Sequence, residues 1–152
     1  MVRSDTVKNA FARVILALLL GALTPAMAQE ELVLIVGAHS HVEQLDSSVV
    51  RKLFLGLTVT QDGARLRPML NESKPRIKDL FLQNIVSMSD NTYDRYLLRM
   101  SLMRGQTRPV VYKDVRRLID AVAADPDAVS YAWSRDVVHD ERIRILRVLW
   151  HD

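Results

Sequence analysis

Asn71, Ser73, Lys74 and Arg76 fall within six consecutive residues, Asn71-Glu72-Ser73-Lys74-Pro75-Arg76, and have the types and spacing for anion binding. A helix beginning here presents unpaired N–H groups at the positive end of its peptide dipoles. Ser73 adds a hydroxyl, and Lys74 and Arg76 add two cations. The plainer reading of the same turn is a capped helix with a solvated basic end, Ser73 as cap and Pro75 in the first turn. Glu72 and Pro75 count against an anion, because one brings negative charge and the other removes a donor.

Arg95, Arg99, Arg104 and Arg108 form a second candidate, a cationic strip for a ligand or partner. The first two share a helix face, and Asp90 and Asp94 lie close enough in sequence to neutralise them. His39 and His41 would share one side of an extended segment and could begin a metal site, but no third ligand is dictated, with His139 and His151 remote in sequence. No metal site is therefore assigned. Catalysis finds no nucleophile elbow, zinc helix motif or phosphate-cradling glycine loop, so no catalytic residue and no cofactor is expected, and the chain is read as a non-enzyme.

Helices and strands that would carry these residues are well punctuated. ELVLIVGA is a continuous apolar run closed by Gly37, which predicts a first strand over Leu32 to Val36 covered on both faces. Asp46 or Ser47 can cap a helix with Val49, Val50, Leu53 and Phe54 on one face and Gly56 as its stop. Asp62-Gly63 signals a turn, and Leu66 to Leu70, interrupted by Pro68, predicts an edge or terminal strand. Ile77, Leu80, Phe81, Ile85 and Met88 predict a core-facing helix, and Tyr93, Tyr96, Leu97, Met100 and Leu102 or Met103 a second one ended by Gly105. RPVV predicts a short extended piece, and Val115, Leu118, Ile119 and Val122 a helix stopped at Asp125-Pro126. AVSYAW predicts a strand. In the tail, Arg142 to Ile145 alternate until Leu146 and Arg147 break the phase, so a strand there must end or bulge, with a helix as rival. These elements make an α/β unit of two or three layers around a small mixed sheet flanked by helices.

Residues 1–28 read differently. Arg3, Lys8 and Arg13 precede the apolar run VILALLLGAL, and Ala26-Met27-Ala28 fits a small-x-small cleavage pattern, which predicts a signal peptide removed near Ala28. The expected product, residues 29–152, is one periplasmic or secreted domain without stable membrane insertion. Loss of the leader leaves 18 Lys and Arg against 17 Asp and Glu, so the near-neutral domain has no nucleic-acid footprint. Zero cysteines exclude a disulfide scaffold and thiolate chemistry.

The series of segments from about Leu32 to Trp133 resembles the phosphate-type substrate-binding proteins of ABC transporters, in the type 2 periplasmic binding protein superfamily. Leu53-Phe54-Leu55-Gly56 stands where that family has IFLG, and Asp62-Gly63 stands in its W.DG turn. Ser73 and Phe81 fit its S..R..F helix start, Gly105 and Pro109 its G....P stretch, and Asp125 to Tyr131 its PGAIGY strand. The resemblance implies one lobe of such a protein, a small phosphate-like anion as ligand and a membrane transporter or sensor as partner. Ser73-Lys74-Pro75 replaces the family's anion-gripping Ser-Gly-Thr, and Asp127 and Ser130 replace two glycines. The chain also has one lobe's length, which leaves a ligand face open to water. A protein-interaction module that kept the fold and lost the ligand is the alternative.

Overall fold

The computed structural model describes residues 30–152, and the expected leader and its cleavage site lie outside the described residues. Glu31–Gly37 (β1) and Ala128–Trp133 (β6) are buried along almost their whole length and pair antiparallel, Leu32 opposite Trp133 and Val36 opposite Val129. Strands covered on both faces need no polar alternation, which is why β1 reads as an unbroken apolar run and Ser130 is the one small polar residue within β6. Arg67–Asn71 (β4) runs parallel to β6, and Val110–Tyr112 (β5) runs parallel to β4 at the sheet edge. Ile143–His151 (β7) closes the other edge antiparallel to β1, giving the order β5-β4-β6-β1-β7. Thr60–Gln61 (β2) and Ala64–Arg65 (β3) form a separate hairpin whose turn residues, Asp62 and Gly63, both have positive φ, the geometry that an Asp-Gly pair favours.

Alternate residues of β1 feed two cores, as the period of a strand requires. Leu32, Leu34 and Val36 face Ser47–Phe54 (α1), Pro75–Phe81 (α2) and Asp90–Arg104 (α3). Val33 and Ile35 face Val115–Ala124 (α4) and Ser134–Val137 (α5). The unit therefore has three layers. Gly37 lets β1 run against α4: a Cβ there would lie 2.7 Å from the Val122 carbonyl oxygen.

Several sequence expectations are refined. β4 is internal rather than an edge strand. Pro68 is tolerated because Arg67 N–H already donates to Asp127 O at 2.8 Å on the β6 side, while pairing with β5 begins only at Met69; no partner waits for the missing donor. The helix from Pro75 changes to π geometry over Leu82–Val86. That wider turn buries Leu82 and Val86, which a strict three-or-four spacing leaves out, and leaves Met88 only partly buried. Leu102 and Met103 on α3 are 78% and 76% exposed, so its core stripe is Tyr93, Leu97 and Met100. The tail is a strand with two register shifts, the first passing over Leu146, where the alternation breaks.

The face holding α1 and α2 is ordered by aromatic rings. Phe81 stacks on Tyr131 with centroids 3.8 Å apart, and Phe54 meets Phe81 edge-on at 4.6 Å. Tyr93 donates its hydroxyl to Phe54 O at 2.6 Å. Burial pushes the pKa of both Tyr93 and Tyr131 upward. The folded state therefore keeps two protons that the unfolded chain releases above its ordinary tyrosine value near pH 10. Stability is full below that pH and should fall above it by about 1.4 kcal/mol per pH unit for each tyrosine. Urea unfolding at pH 9 and pH 11 measures this, with Tyr131→Phe showing the shallower alkaline decline.

Candidate functional site

Parallel α/β sheets take ligands in the crevice outside the carboxyl ends of their strands, where neighbouring chains turn opposite ways. Here that place lies between β4, which leaves toward β5, and β6. The two strands share backbone register only at Arg67–Ala128 and Pro68–Val129. Beyond it, side chains join them. Ser130 Oγ donates to Met69 O at 2.8 Å, Asn71 Nδ2 donates to Tyr131 O at 3.0 Å, and Tyr131 Oη donates to Asn71 O at 3.1 Å. Asn71 Oδ1 accepts from the Ser73 amide at 3.0 Å and from the Ser73 hydroxyl at 2.7 Å. Asparagine suits this post because its amide offers donors on one side and two acceptor lone pairs on the other.

Two sequence expectations are corrected by this geometry. Asn71 is fully buried and its groups bind the protein itself, which puts it beyond a ligand's direct reach. Ser73 is not the cap of α2: its hydroxyl donates back to Asn71, the capping position falls to Lys74 in extended conformation, and no side chain accepts from the first turn. The cause is local competition, since a buried amide oxygen two residues away is a better-held partner than a fraying helix end.

Lys74 is exposed beside this turn. Arg76 lies 3.4 Å from Glu30 and 3.6 Å from Asp152, with its guanidinium 5.7 Å from the Trp150 ring centroid and 6.0 Å from that of Trp133. Sequence reasoning missed Lys78. Its side chain is buried and its Nζ lies 2.6 Å from both Glu72 and Asp90, with Asp94 at 4.0 Å. Burial works to lower the Lys78 pKa, but Asp90 and Glu72 outweigh it and the net shift is upward. The one available signal was a lysine beside the apolar stripe of Ile77 and Phe81. Its partners come from a strand end and the next helix, which no local spacing reveals.

Three of the strip arginines, Arg95, Arg99 and Arg104, lie on α3, and Arg108 lies in the loop after it. Arg95 Nε donates to Asn91 O and Arg108 to Asp94 O, each at 3.3 Å, while Arg99 and Arg104 are exposed. Asp90 is drawn to Lys78 instead of the strip. Among the described residues no group of three His, Asp or Glu side chains could hold a metal. No described helix is long and apolar enough to cross a membrane.

Three solved structures share this architecture. A phosphate ABC transporter substrate-binding protein of Clostridium perfringens, solved with bound phosphate, superposes with a TM-score of 0.60 at 16% identity, over 79% of this chain and 45% of that one. The chain has the fold of one periplasmic binding protein lobe. PstS of Borrelia burgdorferi matches this lobe with a TM-score of 0.56 at 13% identity, over 78% and 47% of the two chains. A possible phosphate binding protein from Planctomyces limnophilus matches it at 0.54 and 11%, over 79% and 42%. The lobe thus spans under half the length of each. No protein-family model and no curated protein matches its sequence.

Proposed function

We propose that residues 29–152 form an exported, single-lobe solute-binding protein that takes phosphate or a similar small oxyanion at its Ser73–Lys74 edge, as accessory to a membrane transporter. The position of that edge carries the reading: it is the turn from β4 into α2, at the carboxyl ends of the parallel strands, with the Lys74 side chain open to solvent. Arg76 can join, because its two ion pairs are long, exposed and weak, and an oxyanion offers its planar fork a better partner. Nearby Glu72 and Asp90 and the open face keep affinity low, about millimolar, until a second protein surface covers the ligand. The reading assigns no catalytic step.

A thermal-shift titration tests this with phosphate, sulfate and acetate at matched ionic strength. An anion at 100 times its dissociation constant stabilises the fold by about 2.7 kcal/mol. The double variant Lys74→Ala/Arg76→Ala should lose that stabilisation and keep its helix content. No response to any anion, or an equal response in the variant, contradicts the proposal.

A second reading, a ligand-free interaction or sensory module, is favoured by one observation: Asn71 already occupies the Ser73 amide and hydroxyl. Under it no anion stabilises the protein. The exposed face of α3, where Leu98, Leu102 and Met103 stand among Arg95, Arg99 and Arg104, would then meet a partner protein.

A further inference from the structure

At the opposite end of the sheet, the amino ends of β4, β5 and β6 open onto a cleft of about 410 Å³, within the size of small-molecule sites. Its floor is apolar, built from Leu53, Leu57, Leu66 and Pro109. Its rim is cationic, with Arg65, Arg67 and Arg108 against one carboxylate, Asp127. Arg67 is engaged by Asp125 and Asp127. Arg65 makes no ion pair among the described residues, and Arg108 gives one N–H to the Asp94 carbonyl at 3.3 Å. Two guanidinium groups thus keep free donors at the mouth of an apolar hollow.

Inorganic phosphate would answer the rim and leave the floor unmatched; a hydrocarbon would do the reverse. We infer that this cleft is a second binding site, for a small aromatic or short-chain carboxylate, with the carboxylate on Arg65 and Arg108 and the apolar body on Leu53, Leu57 and Leu66.

Titration of the ¹⁵N-labelled protein with 4-hydroxybenzoate tests it. The amides of Gly56, Thr107 and Val110 should shift, the neutral methyl ester should bind at least about tenfold more weakly, and Arg65→Gln/Arg108→Gln should do the same with an unchanged melting curve. Repeating the titration in phosphate buffer should give the same shifts, because the cleft and the Ser73 edge lie at opposite ends of the sheet; the result therefore stands whether or not phosphate binds. Shifts centred on Ser73 and Lys74, equal binding by the ester or the double variant, or no shifts up to about 10 mM would overturn the inference.

Discussion

Asn71→Ala should unfold about 2–3 kcal/mol more easily than the natural chain, measured by urea denaturation with an unchanged slope. The residue is fully buried, and its truncation leaves the Tyr131 carbonyl without a donor beyond the two-residue backbone ladder that β4 and β6 share. An unsatisfied buried carbonyl accounts for about 1–3 kcal/mol, and the lost volume adds to it. Tyr131 Oη still reaches the Asn71 backbone carbonyl, so the stacked pair with Phe81 should survive. A loss below about 0.5 kcal/mol would mean that the strands are held by something other than these side chains.

Lys78→Met should cost about 1–3 kcal/mol although it keeps an unbranched apolar stem as far as the ammonium position. Glu72 and Asp90, each 2.6 Å from Nζ, would face one another without their shared counter-ion. Removing one member of a fully buried pair costs about 3–5 kcal/mol; the Asp90 side chain is 47% exposed, and solvent reduces the penalty. Adding Glu72→Gln and Asp90→Asn should restore most of the loss, because the repulsion disappears with the charges. If the triple variant is no more stable than Lys78→Met, the lysine acts through packing alone.

Much of the architecture was legible in the chain because apolar continuity and turn chemistry act locally. ELVLIVG read as a doubly covered strand, AVSYAW as a strand, Asp62-Gly63 as a turn, and Leu146 as the place where a tail strand must end or bulge, and each follows from neighbours a few residues apart. The site was less legible because its determinants are separated by about sixty residues: Asn71 meets Tyr131, and Met69 meets Ser130. Read alone, Asn71 and Ser73 look like paired polar groups awaiting a ligand. Packed against β6, the same two groups satisfy each other. The π turn at Leu82–Val86 was hidden for a related reason, since the tertiary gain of burying Leu82 and Val86 outweighs the regular helical spacing.

This competition between an internal partner and an external anion is the centre of the account, and phosphate titration of the ¹⁵N-labelled natural chain and of Asn71→Ala, below the variant's melting temperature, tests it most directly. The account predicts weak binding to the natural chain, with shifts at Lys74 and a nearly static Ser73 amide, and about tenfold tighter binding to the variant once that amide is released, the worth of one charge-assisted hydrogen bond. Equal affinity in the two proteins, or no binding by the variant, would contradict it.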